Sequence, residues 1–319
     1  MAISFGCILT PAIAGPLASP EAVRTLAQQA EALGFDSVWV PDHIVVPRQV
    51  ASSYPYAASG ASPFDPEQPF YEPLSVLNFL AGCTRRVRLG THVLIVPYRD
   101  PLLTAKILAT LDVLSGGRLI LGAGVGWMAE EFRALGLSTF DERSAVTNEY
   151  LRLFKELWTN DKPTFAGRYC QVSEIGFLPK PVQKPHPPLW TGGHTEPALR
   201  RAATLADGWM PIGLRPPTLL QPKELGDKIT RLRTLIREAG RPEGAVTIAF
   251  TAPIAFTTTP GDARPLLAGS PEEIAQDLGQ YCRLGVRHFN FNLPGANISQ
   301  QQEAMDRLAR DVLPLIPKE

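Results

Sequence analysis

The residues of this chain best suited to chemistry are a carboxylate and an imidazole side by side, Asp42-His43, directly after the apolar run Ser37-Val38-Trp39-Val40-Pro41. Histidine titrates near neutrality and can give or take a proton at a reacting centre, and a neighbouring carboxylate can orient or recharge the ring. The same pair is also a common loop cap, so residue type alone leaves both readings open. A second feature is Leu119-Ile120-Leu121-Gly122-Ala123-Gly124-Val125-Gly126-Trp127, an apolar run that breaks into alternating glycines and a tryptophan. Glycine takes positive φ and leaves its amides uncovered, so a phosphate can meet main-chain N–H groups there. Pro188-Leu189-Trp190-Thr191-Gly192-Gly193-His194-Thr195-Glu196-Pro197 sets a Gly-Gly pair before a helix with proline in its first turn. That is an anion nest backed by a helix N-terminus, or simply a tight turn. His92 interrupts Gly90-Thr91-His92-Val93-Leu94-Ile95, as a bulge at a ligand face or as a core histidine. Trp209, in Asp207-Gly208-Trp209, can pack on a ring system or fill the core.

Other grammars fit worse. The glycines at 122, 124 and 126 read G-x-G-x-G, not G-x-G-x-x-G, and they do not open an N-terminal βαβ unit. There is no G-x-x-x-x-G-K-[ST] loop, no G-x-S-x-G elbow and no H-E-x-x-H helix. His43, His92, His186, His194 and His288 show no ligand spacing, so no metal is expected. A hydrolytic pair made of Asp42 with Glu130 or Glu131 would need its carboxyls about 5–10 Å apart.

The elements that must position these residues alternate along the chain. Strand patterns fall at Ile3–Leu9, Ser37–Val40, Val87–Ile95, Leu119–Gly122, Pro188–Thr191, Gly208–Pro211, Val246–Ala252 and His288–Asn292. Helical patterns fall between and after them, at Glu21–Leu33, Leu74–Cys83, Leu102–Leu114, Asp141–Trp158, Glu196–Ala206, Leu219–Ala239, Pro271–Leu284 and Ser299–Leu315. Strand–helix units repeated in this way predict an α/β fold, a closed (β/α)8 TIM barrel with insertions after strand 2 and before strand 5, in one domain over 1–319. The first insertion, Ile44–Tyr71, follows a strand's C-terminal end and predicts an active-site loop. The second, Asp161–Pro187, predicts a small hairpin from Tyr169–Val172 and Phe177–Pro179.

Composition sets the class of partner. Lys+Arg and Asp+Glu balance at 31 each in 319 residues, which gives no electrostatic case for nucleic acid or an anionic membrane and favours a small-molecule substrate. Cys7, Cys83, Cys170 and Cys282 are scattered and predict reduced thiols; with no signal-peptide pattern and no long apolar span, a cytoplasmic protein is expected.

The order Ala32-Leu33-Gly34-Phe35-Asp36 through His43, then Leu89-Gly90-Thr91 with Pro97-Tyr98-Arg99, then Leu111-Asp112 through Trp127, then 185–193 and Ala206-Asp207-Gly208-Trp209, resembles the bacterial luciferase-like monooxygenase superfamily. It is most similar there to the coenzyme F420-dependent oxidoreductases. The resemblance implies a barrel that binds F420, or alternatively FMN in a reductase-coupled monooxygenase, and that passes hydride to or from a small organic substrate. It implies Asp42 and His43 near the reactive edge, with His43 moving the proton and Asp42 orienting it. It implies Thr91, His92 and Val93 beside the cofactor with a non-prolyl cis peptide at His92–Val93, and Gly122, Gly124, Val125, Gly126, Gly192 and Gly193 against its ribityl chain and phosphate. Trp127 and Trp209 become substrate-pocket walls. Trp127 stands where sugar-phosphate dehydrogenases of the family carry a glutamate, so sugar-phosphate oxidation is not expected, and the glutamate's role is not carried to Glu130 or Glu131. A homodimer is a further expectation from the resemblance.

Overall fold

A computed structural model describes residues 3–257 and 264–316. Eight parallel strands carry the chain around a barrel: β1 Ser4–Ile8, β2 Ser37–Val40, β3 Arg88–Thr91, β4 Leu119–Gly124, β5 Leu189–Thr191, β6 Gly208–Trp209, β7 Thr247–Pro253 and β8 His288–Asn292. β1 pairs with both β2 and β8, and β3 pairs with both β2 and β4, so the sheet closes with no free edge. The major helices are α1 Pro20–Ala32, α2 Pro73–Cys83, α3 Pro101–Leu114, α4 Arg143–Thr159, α5 Glu196–Leu205, α6 Pro222–Glu238, α7 Pro271–Leu284 and α8 Ile298–Arg307. Proline opens most of them, where its missing N–H costs nothing, and Ser19, Asp100 and Ser270 cap α1, α3 and α7 by accepting from backbone N–H groups.

Two expectations need correction. The run expected as one strand over Val87–Ile95 is split: β3 ends at Thr91, the His92–Val93 peptide is cis, and a two-residue strand, Leu94–Ile95, resumes against Ala123 and Gly124. In the second insertion the hairpin pairs Phe165–Ala166 with Gln171–Val172, so Phe177–Pro179 contributes no strand. A six-residue helix, Ala129–Ala134, follows the glycine run.

The barrel interior is filled by Ile8, Trp39, Ile120, Trp190, Met210 and Ala249, with Val93 packed above them. Gly122 is required by close approach: a Cβ there would lie 1.9 Å from the Thr91 carbonyl oxygen. Thr91 Oγ1 meanwhile donates to the Gly122 carbonyl (2.7 Å) and accepts from its N–H (3.0 Å), so the two strands cannot separate without loss. Gly122→Ala is therefore expected to lower stability by about 1–3 kcal/mol, read as a fall in urea midpoint at constant m. A midpoint unchanged from wild type would refute this packing.

Candidate active site

Barrel strands place their C-terminal ends at one mouth, and there the structure opens a cavity of about 1010 Å³. The insertion after β2 supplies one wall through Tyr54, Tyr56, Phe64 and Phe70, while Trp127 and the His92–Val93 turn supply others. This insertion is held at its base by the short helix 129–134. Glu130 accepts from the Ala51 and Ser52 amides, and Ser52 Oγ accepts from the Ala129 amide.

His43 lines the cavity, only 5% exposed, amid the rings of Phe64 (4.4 Å between centroids), Phe70 (5.3 Å) and Trp127 (6.3 Å). Its Nδ1 lies 2.5 Å from Glu131 Oε2. The same oxygen accepts from the Tyr98 hydroxyl at 3.0 Å, and Oε1 accepts from the Ile44 and Val45 amides at 2.7 and 3.2 Å. Glu131 is fully buried and engages the imidazole through Nδ1, so Nε2 is the ring nitrogen left for a ligand in the cavity that His43 lines.

The carboxylate against His43 is thus not its sequence neighbour. Asp42 receives both terminal nitrogens of Arg99, at 2.7 Å each, and the Ile95 amide at 2.8 Å. The expectation that Asp42 orients His43 is corrected: Asp42 pins the segment beyond the cis peptide to the end of β2. Arg99 also donates to Glu72 at the start of α2. Burial pushes the Asp42 carboxyl up, with the Arg99 bonds pulling against it.

Of the residues expected to touch a cofactor, His92, Val93, Gly124, Val125, Gly126, Gly192 and Gly193 line the cavity. Thr91 and Gly122 do not. They are bonded to each other one step deeper and shape the wall instead. Trp209 is also corrected. It is fully buried outside the barrel, and its indole N–H donates to the Gly193 carbonyl at 2.7 Å, which fixes the Gly192–Gly193 turn rather than walling a pocket. Trp127 does face the cavity, edge-on to Tyr54 at 5.1 Å. His92 Nε2 pairs with Thr251 Oγ1 at 2.9 Å, and burial pushes the ring down to about 4, so it is neutral near pH 7.

Around the Gly192–Gly193 turn the cavity lining carries cations. Gly193 adopts φ +85°, turning the chain into α5, whose N-cap Thr195 makes no side-chain cap bond. Beside this helix start, His194 Nδ1 is buried without a partner. Arg201 is 6% exposed and bonds only neutral groups, Asn148 Oδ1 and Ser144 Oγ, both at 2.5 Å. Burial pushes its guanidinium down to about 10, and no carboxylate pairs with it among the described residues. Arg143 lies on the same wall, donating to the Gly126 carbonyl at 3.1 Å. Helix dipole, buried cation and orphaned imidazole together favour an anionic group here. Arginine positions inside α4 and α5 carried no motif in the sequence, and only the helical pattern aligning 143 and 201 with Gly193 could have singled them out.

Fold and site define a (β/α)8 barrel whose cleft lies at the C-terminal mouth and is lined by both aromatic rings and cations. The chain belongs to the luciferase-like monooxygenase family, whose model matches residues 3–266. It is 36% identical over 216 residues to an uncharacterized protein of Mycobacterium tuberculosis, covering 68% of this chain and 72% of that one. It is 30% identical over 192 residues to an FMNH(2)-dependent dimethylsulfone monooxygenase of Pseudomonas putida, covering 60% of this chain and 48% of the relative. It is 27% identical over 347 aligned positions to an F420-dependent glucose-6-phosphate dehydrogenase of Kineococcus radiotolerans, covering 93% and 94%. Among the described residues no helix is long and apolar enough to cross a membrane.

Proposed function

We propose that this protein is an oxidoreductase that transfers a hydride between coenzyme F420 and a small organic substrate, with His43 handling the accompanying proton. The observation that carries the reading is the imidazole itself: buried, lining the cavity, and fixed through Nδ1 so that Nε2 is left for a ligand. A general acid or base must lie within hydrogen-bond reach of the proton it moves, and a fixed ring provides that reach. Similarity to the F420-dependent relative over nearly its full length supports the cofactor, whereas the FMN-dependent relative aligns over 48% of its own chain.

The cavity fits such a group at both ends. The orphaned His194 Nδ1, the buried Arg201 and the uncapped start of α5 suit a phosphate, and the rings and the His92–Val93 turn suit a flat heterocycle. The deazaflavin, when bound, supplies or takes up the hydride. What remains falls to this chain: Arg201 and Arg143 hold the anionic end, the 44–71 insertion keeps water from the rings, and His43 gives or receives the proton at Nε2. Arg201→Met is expected to weaken cofactor affinity roughly 10- to 100-fold, the equivalent of one charge-assisted hydrogen bond, in a fluorescence titration. Unchanged affinity would place the phosphate elsewhere.

A reductase-coupled FMN monooxygenase is the second reading, favoured by the 30% identity to the dimethylsulfone enzyme. Titration of the purified protein with F420 and with FMN separates the two. Tighter F420 binding and oxygen-independent reduction of a substrate panel support the first; tighter FMN binding with oxygen consumption overturns it.

A further inference from the structure

We infer that Glu131 is the positioning residue of this site, holding His43 in the tautomer with the proton on Nδ1 so that Nε2 meets the substrate as a proton acceptor; the catalytic consequence rests on the reading above. Four groups converge on one carboxylate, three of them directed donors. Oε1 is committed to the Ile44 and Val45 amides, which can only donate, and Oε2 to His43 Nδ1 and the Tyr98 hydroxyl. Burial, and the carboxylate beside it, push the Tyr98 phenol up, so Tyr98 stays a donor as well. With both oxygens accepting, Nδ1 must carry hydrogen, and in the neutral ring Nε2 then keeps the lone pair.

The other groups around the imidazole leave this assignment intact. Phe64, Phe70 and Trp127 are apolar faces or edges. The neighbouring charges Asp42 and Arg99 compensate each other through two bonds. A proton taken at Nε2 then creates an imidazolium directly against the Glu131 carboxylate, the arrangement in which a buried acid assists a histidine base without itself receiving the proton.

The isosteric variant makes a directional test. In Glu131→Gln the two backbone amides still require an oxygen at the Oε1 position. The amide NH₂ must therefore take the Oε2 position and donate to Nδ1, which moves the ring hydrogen to Nε2 and turns an acceptor into a donor. ¹⁵N NMR of histidine-labelled protein, without cofactor and at a pH where the ring is neutral, is expected to show Nδ1–H for His43 in wild type and Nε2–H in Glu131→Gln. With substrate and cofactor, kcat is expected to fall by at least tenfold in Glu131→Gln, and by no more than the roughly 10²–10⁴-fold expected for loss of His43 itself, while cofactor affinity and KM stay within a few-fold. Tyr98→Phe, which removes a donor but keeps the carboxylate, is expected to retain Nδ1–H. Nε2–H in the wild-type protein overturns the inference even if Glu131→Gln does not fold, as does Nδ1–H persisting in a folded Glu131→Gln. A correct tautomer with no F420-dependent turnover leaves the Glu131 assignment standing and sinks only the proposed reaction.

Discussion

His43→Ala is expected to reduce turnover roughly 10²–10⁴-fold, the range set by a positioned general acid or base, while cofactor affinity changes by no more than a few-fold. The separation follows from geometry. His43 sits among aromatic rings of the cavity lining, between Phe64 and Trp127, whereas the groups suited to an anionic tail, Arg201 and His194, belong to the turn before α5 and to α5 itself. Removing the imidazole also deprives the buried Glu131 of one of its four donors, which costs about 1–3 kcal/mol if nothing replaces it. A thermal melt beside the kinetics therefore distinguishes lost chemistry from lost structure: the folded fraction at assay temperature must be near complete for the rate to count. His43→Ala turning over within tenfold of wild type would remove His43 from the proton-transfer role.

The barrel was legible because its punctuation is local. Prolines at most helix starts and glycines just after α1, α3, α6 and α7 punctuate the strand–helix units, so their number and order could be read without knowing which strands pair. Side-chain destinations were less legible. In extended chain, successive side chains point to opposite faces. Asp42 and His43, adjacent in sequence and both lining the cavity, take different partners: Asp42 meets Arg99, His43 meets Glu131. Trp209 and Met210 divide between the two faces, with Met210 in the barrel interior and Trp209 outside it. Alternation applied strictly to Gly208-Trp209-Met210 would have chosen the methionine as the inward residue. Glu131 could not be found so, because its link to His43 spans 88 residues and depends on a short helix after the glycine run. Only barrel closure brings the ends of β2 and β4 to the same mouth.

Acid stability should depend on two histidines that the reaction does not use in common. His288 is buried at the base of the barrel, bonded through Nδ1 to Ser4 Oγ at 2.6 Å and through Nε2 to Asn290 Oδ1 at 2.8 Å. Burial pushes both His288 and His92 down from 6.5 to about 4. Their folded values lie below the unfolded one, so between these limits the unfolded chain binds more protons. The stability they contribute is complete above pH 6.5, is lost as pH falls toward 4, and changes no further below that. Each is expected to account for about 3 kcal/mol across the window, a large part of the 5–15 kcal/mol of a typical domain. Asp36 and Asp42, whose carboxyls burial raises, act in the opposite sense at the acid end of this range. The total slope therefore mixes the two effects, and the variant comparison isolates the histidines. Urea midpoints measured from pH 7 to 4.5 should fall less steeply in His288→Gln than in wild type, by close to one proton's worth, about 1.4 kcal/mol per pH unit. His288 does not line the cavity, so this variant tests the barrel base independently of ligand binding. Parallel slopes in the two proteins would mean that the imidazole is solvated or charged in the folded state, and that the polar base formed by Ser4, Ser37 and Asn290 is not sealed from water.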